Sequence, residues 1–144
     1  MNFSKQIVTE IGVTPTAGAA GATAIEGASC DCQRAGGLQI EVAMGAIVSG
    51  AATSIKAQGC DDNATWADLE GTSQTVADDD DGKVFFIDIV RPLYRYHRLY
   101  VSRATQNATV AVALYHKYDL GAKPQAQGTN VKGETHFSPA TGTA

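Results

Sequence analysis

The stretch LQIEVAM, residues 38–44, decides the fold class because apolar and polar residues alternate along it. On an extended chain, one side carries the large apolar residues Leu38, Ile40, Val42 and Met44. The residues between them, Gln39, Glu41 and Ala43, point the other way. This alternation with a period of two predicts a β-strand that is buried on one face.

Other segments show strand patterns of the same kind. Residues 53–58, TSIKAQ, alternate again, with Ile55 and Ala57 on one side. Three more segments, VFFIDIV, RPLYRYHRLYVSR and ATVAVALYHKY, are rich in β-branched and aromatic residues and are bounded by Pro, Asn or Gly. No segment of about ten or more residues shows a helical stripe. We therefore predict an all-β fold, an antiparallel β-sandwich.

Four consecutive aspartates, residues 78–81, precede Gly82 and raise the question of a metal site. A calcium loop with its bend at Gly82 would place Ala77 where a carboxylate is required, and no helices flank the segment. An Asp-Gly pair at the entry to a strand is typical of a tight turn, in which the glycine takes a positive φ angle. The pattern predicts a solvated turn and no bound metal.

Chemical motifs are sparse in the rest of the sequence. Cys30, Cys32 and Cys60 are odd in number and lack the CxxC spacing of zinc sites, so we predict neither a disulfide framework nor a cofactor. Signatures of serine hydrolases, zinc proteases and phosphate loops are missing, and we expect that the protein is not an enzyme. Trp66 is interpreted as a core residue.

Length and charge limit the possible partners. The chain has 144 residues, which suits one domain, and its formal net charge of −4 disfavours nucleic acid. No stretch approaches the roughly 18 apolar residues of a membrane helix, and the first residues lack the apolar core of a signal peptide. We expect no nucleic-acid or membrane partner, and synthesis in the cytoplasm.

Composition divides the chain into three parts. Residues 1–37 are rich in Gly, Ala and Thr and are predicted to form an extended N-terminal arm. Residues 38–118 are predicted to form the sandwich, and residues 119–144 an extended C-terminal tail ending near His136 and Phe137. Within the arm, the segment containing Ile7, Ile11 and Val13 is expected to pair with a sheet edge or a neighbouring subunit.

The segment RPLYRYHRLYVSR is the most distinctive part of the chain. On a strand, Tyr96, Arg98, Tyr100 and Ser102 share one face, and Arg95, His97, Leu99, Val101 and Arg103 share the other. Arg and Tyr are enriched at protein interfaces. Two alternatives stay open: the segment could stack single-stranded bases, or it could be a solvated face with Arg stems over Tyr rings.

The order of these features resembles a family of phage proteins. The segments QGCDDNATWADLEGT, VFFIDIVRP, RYHRLYVSR and NATVAVALYHKY look like those of the cement or decoration proteins that coat the capsids of tailed bacteriophages. The resemblance covers residues 38–118 and implies a jelly-roll or a related β-sandwich. It also implies a virion structural protein that binds the capsid surface between major capsid subunits and stabilises the expanded head.

This resemblance implies further expectations. The partner would be the major capsid protein, and the chain would form a homodimer or homotrimer. The residues expected to make contacts are Ile7, Ile11, Val13, Arg91, Tyr94, Arg95, Tyr96, Arg98 and Arg103. The alternative function is a carbohydrate-binding β-sandwich of a phage tail or secreted enzyme, with Trp66 and the tyrosines as stacking platforms.

Overall fold

The computed structural model describes residues 3–121, 126–135 and 141. The elements along this part of the chain are α1 Phe3–Gln6, β1 Val8–Val13, β2 Ile25–Glu26, β3 Cys30–Asp31, β4 Gly37–Ile47, β5 Ala52–Cys60, β6 Ala67–Asp68, β7 Gln74–Val76, β8 Val84–Val90, β9 Tyr96–Ala104 and β10 Ala108–Tyr118. The helix has four residues, and in the described ranges no helix is long and apolar enough to span a membrane.

The strands form two sheets whose neighbouring strands all pair antiparallel. The first sheet has the order β1-β10-β4-β8, and the second has the order β2-β9-β5-β6. In addition, β3 pairs with β9 and β7 pairs with β5. Buried residues from both sheets form one core, which confirms the predicted antiparallel β-sandwich.

The strand order is that of a jelly roll. Because β2 and β3 lie along the same strand, β9, they act as one interrupted strand, and β6 and β7 do the same along β5. Counted in this way, the described residues form eight strand positions, which pair from the outside inward. The first pairs with the last, the second with the seventh, the third with the sixth and the fourth with the fifth. This nested antiparallel pairing between two sheets is the jelly roll that the resemblance implied.

Alternating burial within the long strands explains why they form sheets. Leu38, Ile40 and Val42 of β4 have no solvent exposure, and the residues between them are half-buried. The same alternation runs along β9, where Leu99 and Val101 are also fully buried. The strands predicted from the period of two are therefore present, with one face of each directed into the core.

The N-terminal segment differs from the predicted arm. Residues 1–37 contribute β1, β2 and β3, and Val13, Ile25 and Cys30 are core residues. Its small residues allow close packing within the chain: a Cβ atom at Gly18 would lie 1.9 Å from the carbonyl oxygen of Val110. The sandwich therefore begins well before residue 38, because a jelly roll needs its first two strand positions from this segment.

The C-terminal segment is described for residues 119–121, 126–135 and 141, and His136 and Phe137 lie outside the described residues. The Gln127 side chain accepts a hydrogen bond from the Thr9 N–H at 2.8 Å and donates to the carbonyl oxygen of Ile7 at 2.7 Å. The Gly128 N–H donates to the Thr9 carbonyl oxygen at 3.1 Å. This part of the predicted tail thus covers the outer edge of β1.

Tyr115 fills the gap between β2 and β3. Its ring is buried, and its hydroxyl accepts a hydrogen bond of 3.0 Å from the Leu99 N–H on β9. The chain passes very close to the ring at two glycines: a Cβ atom at Gly12 or Gly27 would lie 2.5 Å from the side chain of Tyr115. Burial raises the pKa of Tyr115, so the hydroxyl stays neutral.

We expect Tyr115→Phe to lower the free energy of unfolding by about 1–3 kcal/mol, because the buried Leu99 N–H loses its acceptor. Urea denaturation followed by circular dichroism measures the change. The matched control is Tyr118→Phe, whose hydroxyl donates to Asp88 at an exposed position. Equal losses in the two variants would show that the hydroxyl of Tyr115 does not support the interrupted strand.

Candidate binding surfaces

Residues 91–95 of the Arg/Tyr segment RPLYRYHRLYVSR belong to a loop, and residues 96–103 lie in β9, between β2 and β5 in the second sheet. The residues of β9 alternate between half-buried and buried, as the sequence predicts for a strand with two different faces. Tyr96, Arg98 and Tyr100 lie on the outer face of the sandwich. The buried face directs His97 and Arg103 toward the interior, with exposed fractions of 1% and 7%.

On the outer face, Arg98 is held by three neighbours. Its guanidinium lies 4.5 Å above the ring of Trp66, donates to Gln58 Oε1 at 2.8 Å and forms an ion pair with Glu26 at 2.9 Å. Trp66 itself is half-buried and lies outside the core cluster. The expectation that Trp66 is a core residue was therefore wrong, because its ring stacks against an arginine on the sheet surface.

Two further aromatic rings on this face carry cations. Lys56 Nζ lies 4.8 Å from the ring centroid of Tyr100 and 2.6 Å from Asp68. Arg95 lies 4.9 Å from the ring centroid of Tyr96 and forms an ion pair with Asp31 at 2.9 Å.

These ion pairs also fix the charge of the carboxylates. The hydrogen bond from Arg95 lowers the pKa of Asp31, and the hydrogen bond from Lys56 lowers the pKa of Asp68. We name this set of side chains the cation–aromatic face; it comprises Lys56, Trp66, Arg95, Tyr96, Arg98 and Tyr100. Its side chains are held in place by contacts within the chain.

The loop between β8 and β9 is the most exposed part of this region. Leu93 is 92% exposed, Arg91 is exposed, and Tyr94 is partly exposed with its ring edge toward His97. Arg91 has a φ of 54°, in the left-handed region, and its N–H donates to the Gly36 carbonyl oxygen at 2.8 Å. Arg91 and Tyr94 thus remain accessible, as their predicted contact role requires.

Arg103 has a different role from the one expected. Its guanidinium donates to the carbonyl oxygens of Thr23, Ala19 and Ala108 at 2.6, 2.7 and 2.8 Å. These bonds tie residues 19–23 to the body of the sandwich. Arg103 is almost fully buried, so the prediction that it contacts a partner is corrected: its charge serves the chain's own fold.

The predicted pairing segment near the N-terminus forms β1, but its partner is β10 of the same chain. Val13 lies in the core, and Ile11 faces outward opposite Leu114. Ile7 is half-buried between α1 and β1. Since β10 already supplies the sheet edge, the expectation of pairing with a neighbouring subunit through this side of β1 is corrected.

Cys30 and Cys32 bring two buried thiols close together. Cys32 Sγ and Cys30 Sγ are 3.9 Å apart, and all three cysteines are buried free thiols. The hydrogen bond between the pair lowers the pKa of Cys32 and raises that of Cys30. No group of three or more His, Cys, Asp or Glu side chains in the described part of the chain could hold a metal ion. Burial separates these thiols from any large substrate.

The aspartate run forms the predicted turn, and Gly82 has a φ of 69°. Asp78 accepts a hydrogen bond from the Gly50 N–H at 2.7 Å, and Asp81 accepts one from the Ile47 N–H at 2.8 Å. The run therefore fastens the loop between β4 and β5.

Sequence reasoning missed an exposed apolar row on β8. Val84, Phe86 and Val90 are 57%, 59% and 67% exposed. The signal was present in VFFIDIV, because these residues share one side of a strand with Asp88. The segment was predicted as a strand, but its two faces were not separated.

Comparisons with known proteins bear on the fold. No protein-family model and no curated protein matches the chain. A solved structure described as the PBSX exported protein XepA is 18% identical, with a TM-score of 0.53; the match covers 96% of this chain and 45% of that one. A chain from Bacillus endospore appendages, described as disulfide-linked pili, is 13% identical with a TM-score of 0.45 and coverage of 81% and 91%. A TM-score of 0.45 does not establish a shared fold for the second match. At 18% identity, the first shows that this chain shares its fold with a part, less than half, of the XepA chain.

Proposed function

We propose that the chain is a non-enzymatic virion structural protein that binds the outer surface of a bacteriophage capsid, between major capsid subunits, and stabilises the expanded head. The observation that carries the proposal is the cation–aromatic face, where arginines and aromatic rings stand ordered on a rigid sheet. Such residues dominate the energetics of protein interfaces. The jelly-roll topology agrees with the fold that the resemblance to decoration proteins implies.

Order on this face lowers the cost of binding. Arg98 and Arg95 are already fixed by ion pairs with Glu26 and Asp31, so less side-chain entropy is lost when a partner covers them. Binding to the assembled shell, and not to free capsid subunits, would stabilise the shell by mass action. Many copies on one lattice would then resist the opening of the shell together.

The carbohydrate-binding alternative is less favoured by the geometry. The rings of Trp66, Tyr96 and Tyr100 each lie beneath a cation of the same chain. A sugar that stacks on one of these faces would have to displace a guanidinium or an ammonium group. Binding to a protein surface can instead use the cation and the ring together.

The test is co-sedimentation of the purified protein with phage heads that lack it, before and after head expansion. We expect saturable binding to expanded heads at a fixed ratio to the major capsid protein. Tyr96→Ala with Arg98→Ala is expected to weaken binding at least about tenfold, because a hot-spot arginine or tyrosine costs about 2 kcal/mol or more when it is truncated, and about 1.4 kcal/mol is tenfold.

The control changes two exposed residues that do not belong to this face, Gln106→Ala with Lys132→Ala, and should bind like the wild type. Circular dichroism confirms that both double variants are folded. Absence of binding by a folded wild-type protein would refute the proposal, and unchanged binding by the first variant would remove this face from the interface.

A further inference from the structure

β8 is an edge strand with an apolar outer side. It ends the first sheet, and β4 is its only partner among the strands that the structure describes. Val84, Phe86 and Val90 expose more than half of their surface, and Leu93 follows in the next loop with 92% exposure. Exposed apolar residues on a free strand edge are a template for pairing with another chain.

The other sheet edges in the described residues are blunted. Gln127 and Gly128 bond to the backbone of Thr9 and cover the outer side of β1. The edges of the second sheet consist of strands with only two or three residues each. β8, with seven residues, is therefore the long open edge of the described molecule.

The backbone of β8 presents its hydrogen-bonding groups outward at every second residue. The Lys83 carbonyl oxygen accepts a hydrogen bond from the Met44 N–H at 2.9 Å, and the Arg91 N–H donates one to the Gly36 carbonyl oxygen. The backbone groups of the odd-numbered residues of β8 therefore point toward β4. The even-numbered residues point their backbone N–H and C=O groups to the open side; they are Val84, Phe86, Asp88 and Val90. There, Gln74 Nε2 donates to the Phe86 carbonyl oxygen at 2.8 Å.

We propose that β8 pairs antiparallel with β8 of a second copy of this chain, which joins two four-stranded sheets into one continuous sheet of eight strands. A two-fold axis makes this interface self-complementary, and the exposed apolar residues of both strands meet across it. The amide of Gln74 moves away from the Phe86 carbonyl as the strands pair.

The charges at the two ends of β8 favour antiparallel pairing with a second copy of the chain. The acidic turn, residues 78–81, precedes β8 and remains net negative although Lys83 forms an ion pair with Asp80 at 2.6 Å, and the exposed Arg91 follows β8. Antiparallel pairing places the acidic turn of each copy beside Arg91 of the other, whereas parallel pairing would bring like charges together. Each end of the edge therefore complements the opposite end of an identical strand.

The dimer stands independently of the capsid proposal, because it forms in solution. Its test is the molecular mass of the protein by analytical ultracentrifugation over a concentration series. We expect the wild type to dimerise and Phe86→Lys to raise the dissociation constant at least about tenfold. The control, Ala67→Lys, introduces the same charge at an exposed residue of β6, an edge strand of the second sheet, and should leave the dimer intact.

A charge exchange tests the orientation of the two strands. Arg91→Asp should weaken the dimer, and adding Asp79→Arg should restore it, because the two charges exchange places across the interface. Aspartate tolerates the left-handed backbone at position 91. A wild type that remains monomeric would overturn the proposal and leave the edge to an extended segment of another protein. The proposal would also be overturned if Phe86→Lys still formed dimers, or if adding Asp79→Arg to Arg91→Asp did not restore dimerisation.

Discussion

Replacing Arg103 with methionine is expected to lower the free energy of unfolding by about 3 kcal/mol. The variant keeps the long apolar stem but removes the donors that satisfy the carbonyl oxygens of Thr23 and Ala19. Each buried acceptor without a partner costs about 1–3 kcal/mol. Burial lowers the pKa of Arg103, which indicates that the guanidinium is held at a desolvation cost, and its removal recovers part of that cost.

Thermal unfolding should show this loss as a decrease in melting temperature of roughly 6 °C or more. The matched control is Arg95→Met, an arginine whose side chain is 47% exposed and paired with Asp31. Exposed ion pairs contribute about 1 kcal/mol or less, so this variant should unfold close to the wild type. Comparable losses in the two variants would mean that Arg103 does not tie the N-terminal segment to the sandwich.

Deleting residues 1–13 is expected to prevent folding. The deletion removes β1, with the buried side chains of Val8 and Val13, and leaves one side of β10 without its ladder partner. Each buried valine contributes about 1.5–3 kcal/mol, and the lost backbone pairing adds to this. Together these losses are comparable with the whole stability of an ordinary domain, about 5–15 kcal/mol.

Circular dichroism and the dispersion of amide NMR signals measure the outcome. Deletion of residues 1–6 is the control, because it removes α1, which has no buried residues, and spares β1. We expect this shorter deletion to fold with a nearly unchanged melting temperature. A folded and stable product of the longer deletion would show that residues 1–13 form a removable arm, as their composition first suggested.

Strands with a strict alternation could be predicted from the sequence. β4 carries large apolar residues at every second position, β9 carries Leu99 and Val101 two positions apart, and these positions are buried in the structure. Residues 1–37 could not be assigned in this way, because glycine and alanine carry little apolar surface whether they pack or lie in solvent. Their role depends on close approach to residues distant in sequence, such as Val110 and Tyr115.

The binding surfaces, too, could be predicted from the sequence only in part. The two faces of the Arg/Tyr strand were predicted correctly for residues 96–103, whereas Arg95, predicted on the face of His97, lies over the ring of Tyr96. Arg103 was assigned to the contacts although it shares its face with Leu99 and Val101. The position of Arg103 on the same strand face as these two apolar residues indicates that its guanidinium lies inside the sandwich. The partners of Arg103 are backbone carbonyls, which no side-chain pattern reveals. Trp66 was misplaced because a tryptophan can stack on a surface arginine as readily as enter a core.

The nested strand pairing has a consequence for how the chain acquires its structure. Val8 pairs with Lys117, so the outermost strand pair joins segments from opposite ends of the described chain. Pairing of such distant segments is slow, because the loop between them must be closed before contacts compensate for the lost entropy. During synthesis on the ribosome, β1 therefore stays unpaired until β10 has emerged from the ribosome. The innermost pairs around β5 can form earlier, and the sandwich closes only when translation of the strand-forming residues is complete.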